Sequence, residues 1–275
     1  MVQIKILLEN SSIDDKYKSK HGLSILIECH ERKILLDVGS DKKFAENADT
    51  MGIDLSQITE LYLSHNHNNH TGGLNEFVKI NNTASIFIMD DIRHKYYVKF
   101  LFFFISVGLK LEKKYRSRIT QIKNDQIVNK KIYFLKNTIT ENIKPTFNNK
   151  LFKKENTGMV NDTFDHEGIL VIEDDNELLV FNSCSHNGIL NVIETVKAKI
   201  PGKKIRGYIG GLHLCNPQTK QHENCEYLDN IINNVKKMNI NIYTGHCTGK
   251  FALDYFKEKM GNVFHEINTG MEIEI

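Results

Sequence analysis

The sequence predicts an α/β (α+β) chain of the four-layer αββα kind, two sheets with helices on their outer sides. Three observations carry that expectation. Short β-type runs recur in the first and last thirds of the 275 residues, segments of helical spacing separate them, and no solenoid period is visible. With 40% hydrophobic and 25% charged residues, a chain of this length can bury a full core. It reads as a single domain over residues 1–275, with an irregular lid or insertion at about 91–160.

Val2 to Leu8, L-S-I-L-I-E-C from Leu23 and K-I-L-L-D from Lys33 read as a meander of adjacent strands. The opening M-V-Q-I-K-I-L-L-E-N is too short in apolar residues for a signal-peptide core and lacks a cleavage site, so it is taken as the first strand. Asp41 to Met51 has helical spacing and stops at Gly52. The run I-T-E-L-Y-L-S then reads as a strand leading into a histidine cluster. Behind the cluster, Gly72 and Gly73 suggest a sharp turn into a helix beginning near Asn75.

Residues 91–160 show no clear periodicity and are rich in Lys, Asn and aromatics. Their apolar run from Phe100 to Leu109 falls short of the roughly 20 residues a membrane span needs, and it is expected to be a buried or lid segment. The basic run from Lys110 to Arg118 reads first as a solvated face, with a lid that meets an anionic substrate as the alternative. The last third resumes the rhythm with I-L-V-I-E, then E-L-L-V-F-N-S from Glu177, a helix from about Gly188 to Lys199 and the strand Y-I-G-G-L-H-L. A helix from about Glu223 to Met238 and the strand N-I-Y-T-G-H complete it.

Charge is nearly balanced at a formal +2, which argues against a nucleic-acid partner, and no membrane association is expected. Five cysteines form no C-x-x-C pair, an odd number that suits a reducing compartment, so a cytoplasmic location is expected.

The chemistry concentrates in S-H-N-H-N-N-H-T-G-G-L, from Ser64 to Leu74. His65 and His67 are two apart, so in an extended segment both imidazoles project to one side and can share a metal. His70 needs only a turn to reach them. Three imidazoles so close suit a divalent transition metal, zinc most readily, with iron or manganese also compatible.

This segment resembles the H-x-H-x-D-H-x-G-G signature of metallo-β-lactamase fold hydrolases. The resemblance extends through H-G-L-S-I-L-I-E from His21, L-L-D-V-G-S around Asp37, N-S-C-S-H-N-G-I-L-N from Asn182, I-G-G-L-H-L around His213 and T-G-H-C-T-G around His246. In that combination the chain is similar to the branch named for dihydropterin-ribofuranosylaminobenzene-phosphate synthase. The resemblance implies a site for one or two metals, with His65 and His67 serving one ion and position 69 with His70 the other. His186 and His246 are the implied completing ligands. His213 is expected near substrate or metal, and Asp165 is a candidate carboxylate or simply a turn residue. Asp37 is expected to orient a ligand histidine, because such imidazoles usually pass their other N–H to a carboxylate. Cys184 and Cys247 lie beside candidate ligands, where small side chains are needed in any case.

One position departs from the pattern. The signature calls for aspartate where this chain has Asn69, and an amide is a neutral, weaker donor that cannot act as a base. A one-metal enzyme, a two-metal enzyme with a rearranged shell and a non-catalytic small-molecule binder therefore stay open. The leading expectation is a metal-dependent hydrolase of an ester-type, anionic small molecule, with the synthase reaction as the enzymatic alternative.

Overall fold

The computed structural model describes residues 1–128 and 130–275. They gather into two compact units, one of Met1–Asn124, Lys150–His166 and Asn268–Ile275, the other of Asp125–Asn149 and Glu167–Ile267.

The first unit begins with the expected meander: β1 (Gln3–Leu8), β2 (Ser24–Cys29) and β3 (Arg32–Leu36), paired antiparallel. His30 and Glu31 join β2 to β3 with φ of 48° and 61°, the two positive values that match a hairpin turn to strand twist. The chain then crosses to β4 (Glu60–Leu63) and β5 (Ser85–Ile88), both parallel to β3. The connections carry helices α1 (Lys43–Thr50), α2 (Asn68–Thr71) and α3 (Leu74–Ile80). All four residues of β4 are buried, as a central parallel strand requires. Leu61 and Leu63 pack with Phe44 of α1 and Phe77 of α3 in one core.

Strands β6 (Tyr96–Phe100) and β7 (Phe103–Ser106) form a hairpin, and β8 (Ile119–Gln121) adds beside β5. Later in the chain β11 (Leu151–Glu155), β12 (Gly158–Asn161) and β18 (Glu272–Glu274) return to this unit. Its seven-stranded sheet runs β18-β1-β2-β3-β4-β5-β8, and a four-stranded sheet runs β12-β11-β6-β7.

The second unit holds the sheet β17-β16-β15-β14-β13-β10-β9. Its strands are β9 (Gln126–Ile127), β10 (Ile132–Lys136), β13 (Gly168–Asp174), β14 (Glu177–Phe181), β15 (Lys204–Ile209), β16 (Asn241–Thr244) and β17 (Phe264–Glu266). From β14 to β17 the neighbours are parallel, joined through α4 (Ile189–Lys199), α5 (Cys225–Met238) and α6 (Lys250–Met260). The start of α5 is capped by Asn224, whose side chain accepts a hydrogen bond from the Tyr227 N–H.

Three local readings change. Residues 91–160, read as irregular, carry β6 to β11 and the start of β12. Exposure on both faces of β7 removes the alternation that would have announced that strand. The apolar run from Phe100, expected to be a buried or lid segment, begins in that hairpin, and it is not buried there, with Phe102 90% exposed. The strand read as Y-I-G-G-L-H-L ends at Ile209, because Gly210 has φ +143° and any Cβ there would lie 2.0 Å from the Asn182 carbonyl oxygen. The expected turn into a helix at Gly72 and Gly73 is present and leads into α3, but it uses no left-handed backbone. Their φ values are −67° and −78°, and what they supply is space, since a Cβ would meet the carbonyls of Ser40 and Val38 at 2.1 and 2.2 Å.

Candidate metal centre

In the first unit, β4 delivers Ser64 and His65 at its C-terminal end, and an extended residue, His67, opens α2, which carries His70. All three imidazoles are buried. His65 Nε2 lies 3.1 Å from His67 Nδ1, close to the roughly 3.3 Å edge of a tetrahedron of imidazole nitrogens around zinc. The rings of His65 and His70 are 4.3 Å apart.

A fully buried carboxylate sets their orientation. Asp37 follows β3 with φ +59°, a left-handed value uncommon for a residue with a Cβ. Its Oδ1 accepts from the Ser64 N–H at 2.8 Å, and its Oδ2 accepts from the Ser64 hydroxyl at 2.6 Å and from His70 Nδ1 at 2.9 Å. Because the Ser64 hydroxyl donates to Asp37, it accepts from His65 Nδ1 at 2.9 Å. Protons on Nδ1 of both rings leave Nε2 as the atom with a lone pair to give a metal. Asp37 is therefore the orienting carboxylate expected from the sequence, and it acts on two rings. Asp37→Asn is expected to weaken metal affinity about 10- to 100-fold, measured by competition with a chromogenic chelator. Wild-type affinity in that variant would remove Asp37 from the account.

Asn66 belongs to the frame of this loop. Its amide donates to Asp90 Oδ2 at 2.8 Å and its carbonyl accepts from the Leu109 N–H at 2.7 Å. Asn69 lies half-buried on α2, and its main-chain carbonyl accepts from the Leu23 N–H.

The segment 162–166 holds a residue the sequence reading passed over. Asp162, Phe164 and His166 are buried, while Thr163 and Asp165 between them are exposed. Asp165 accepts a hydrogen bond only from the neighbouring Thr163 hydroxyl among the bonds described, the turn-residue alternative of its two readings. The buried carboxylate is Asp162, bonded at 3.0 Å to His166 Nε2, and the His166 ring lies 6.4 Å from those of both His65 and His67. His166 Nδ1 has no hydrogen-bond partner among the described residues. Burial opposes protonation of His166, yet the bond and charge of Asp162, with Asp90 and Asp165, raise its pKa. Burial alone would raise Asp162, and its bond to His166 instead holds it below the usual carboxylate value. The available signal was the period of two, which puts 162, 164 and 166 on one side.

The second unit gathers the later candidates. Ser183 to Asn187, between β14 and α4, are buried. Glu167, fully buried, accepts from the His186 N–H at 2.8 Å, the Asn187 N–H at 3.0 Å and the Asn187 side-chain amide at 2.8 Å. His186 Nδ1 sits 2.9 Å from the Asn148 side-chain oxygen Oδ1, and a proton on Nδ1 leaves the ring's lone pair on Nε2. His213, at φ +54°, sets its ring 4.1 Å from that of His186 at a tilt of 52°. Its N–H donates to Cys247 Sγ at 3.2 Å, and its Nδ1 lies 3.6 Å from Cys184 Sγ. Cys184 and Cys247 are 3.1 Å apart at sulfur. Burial opposes ionisation of Cys247, but bonds from Cys184 and His213 bring its thiol down to about 5. His246, also buried, opens a single helical turn, His246–Thr248.

The basic run lies largely at the surface. Lys110, Lys113, Lys114 and Arg116 are exposed, and Arg118 donates to the carbonyls of Asn81 and Ala84.

The solved structure of Tm1679, a metal-dependent hydrolase of the β-lactamase superfamily, superposes over 100% of this chain and 99% of its own with a TM-score of 0.84 at 23% identity. The chain has the metallo-β-lactamase fold. Among other structures of that fold class, a diphosphatase of the PhnP family covers 100% of this chain and 98% of its own at a TM-score of 0.53 and 12% identity. A family model described as the anti-Pycsar protein Apyc1 matches residues 14–142. The 7,8-dihydropterin-6-methyl-4-(β-D-ribofuranosyl)-aminobenzene-5'-phosphate synthase of Methanocaldococcus jannaschii is 29% identical over 99% of this chain and 96% of its own length. This relative agrees with the branch the motifs resemble. The metallo-β-lactamase fold, with its buried histidine and cysteine clusters, points to a divalent metal. No helix among the described residues is long and apolar enough to cross a membrane.

Proposed function

We propose that this chain is a metal-dependent hydrolase of an ester-type small molecule, a phosphoester or lactone, and that His65, His67 and His70 hold a divalent cation, zinc most readily. The observation that carries this reading is the pair of ring nitrogens 3.1 Å apart in a buried cluster where Ser64 and Asp37 fix the ring protons of His65 and His70. Two ring nitrogens at that spacing, with the His70 ring 4.3 Å from that of His65, form a donor set suited to a cation. A cation bound there supplies a water that ionises near neutral pH and a positive charge for the oxyanion that develops on the substrate. The protein's part is to hold the rings in one tautomer and keep the loop rigid, which Asp37, Ser64 and Asn66 do.

The test is hydrolysis of bis(p-nitrophenyl) phosphate and of a simple lactone by chain loaded with zinc, iron or manganese and by chain stripped with chelator. Metal-dependent turnover of either substrate is expected; inactivity with every metal would reject the hydrolase reading. The 29% identity over nearly the whole chain supports the synthase as a second reading. It predicts condensation of a dihydropterin with a ribofuranosylaminobenzene phosphate.

Asn69 bears on the number of ions. Asn69→Asp is expected to raise bound metal above the wild-type ratio and to increase the hydrolytic rate by at least about tenfold, because a carboxylate adds an anionic donor and a base. Unchanged stoichiometry and unchanged rate would show that position 69 faces no metal.

A further inference from the structure

The most conspicuous surface of the first unit has no part in the metal chemistry. From Phe100 to Ile105 the β6–β7 hairpin is an unbroken apolar run, exposed throughout, with Phe102 at 90% and Phe103 at 70%. Apolar side chains of this size carry about 150–250 Å² each, so the exposed fractions amount to roughly 500–900 Å², beyond what a monomer ordinarily shows. That area also approaches the ~800 Å² per partner of a standard interface.

Its geometry names the occupant. Strand β7 ends its sheet, and among the described residues no strand lies beyond it. Phe103–Ser106 carries no charge, proline or bulge, the usual devices that keep such an edge from pairing. The turn holds Leu101 at φ +51°, where Asn or Gly ordinarily sits, so a bulky apolar side chain is kept at the tip against backbone preference. The stem is fixed by Val107, whose N–H donates to the Tyr96 carbonyl and whose carbonyl accepts from the Asn68 N–H.

We propose that β7 pairs antiparallel with β7 of a second copy, joining two four-stranded sheets into one of eight about a two-fold axis. Phe103 of one copy then faces Ile105 of the other and Phe104 faces its own symmetry mate, apolar cross-strand pairs with no like charges opposed. Lipid is the poorer occupant, because an open strand edge in hydrocarbon leaves its N–H and C=O groups unsatisfied. A second copy satisfies them.

The test is sedimentation velocity of the full chain alone, of Ile105→Lys and of Phe102→Ser, with circular dichroism to confirm that each variant is folded. The wild type is expected at twice the monomer mass, with the dissociation constant raised at least about tenfold in Ile105→Lys, which places a lysine in the seam, and less in Phe102→Ser. A wild type that stays monomeric at ~100 µM would overturn the proposal. So would an association that both substitutions leave unchanged, a mass other than twice the monomer's, or binding to phosphatidylserine vesicles by a chain that does not self-associate.

Discussion

Replacing His67 with alanine is expected to cut bound metal to below about a tenth of the wild-type ratio and leave the fold in place. A structural zinc site gains about 10–16 kcal/mol from its ligands together, so losing one imidazole of a close set costs about 3 kcal/mol, or roughly 100-fold in affinity. The fold survives because the loop is held by groups that alanine retains. The His67 carbonyl accepts from the N–H groups of His70 and Thr71, and Asn68 and Asn66 tie the loop to Val107 and Leu109. The imidazole itself meets Tyr96 and Phe164 edge-on at 6.2 and 6.0 Å, contacts whose loss is mild beside the loss of a metal ligand. Elemental analysis with far-UV circular dichroism on the same sample separates the two effects. A full equivalent of metal in the variant would mean the triad is not the binding site.

The second large effect is on stability. Glu167→Ala is expected to destabilise the chain by at least about 3 kcal/mol, because truncation strands two buried backbone N–H groups and one side-chain amide, each costing about 1–3 kcal/mol. The loop between β14 and α4 has no strand neighbour to take those donors, so one carboxylate stands in for a ladder. Glu167→Gln keeps the shape but opposes an NH₂ to a donor and should fall between the two. In a chain of this size the alanine variant should melt roughly 6–12 °C lower. Melting at the wild-type temperature would show that water replaces the carboxylate without cost.

Which parts of this were legible beforehand follows from local physics. The triad was, because strand spacing brings His65 and His67 to one side whatever the rest of the chain does. So was Asp37, from the rule that ligand imidazoles need a second partner. The meander and the crossover helices α1, α3, α4 and α5 followed from periodicity and turn chemistry, whereas α6 was not read. What escaped depended on neighbours distant in sequence. Asp165 was read as a candidate carboxylate or a turn residue while Asp162 and His166 were passed over, and only the packed structure shows which alternate residues turn inward. Nothing in D-H-E-G distinguishes a solvated glutamate from Glu167, whose partners lie 19 and 20 residues on. The glycine pair was recognised for conformational freedom when its role is close approach to Ser40 and Val38. Residues 91–160 hid their strands because β7 is exposed along its whole length.

Elemental analysis of the chain purified without added metal tests most directly whether the triad holds an ion. At least about one equivalent of a divalent transition metal per chain is expected, removable by chelator and restored by zinc, iron or manganese. A chain that carries none, and takes up none from any of the three, would contradict it.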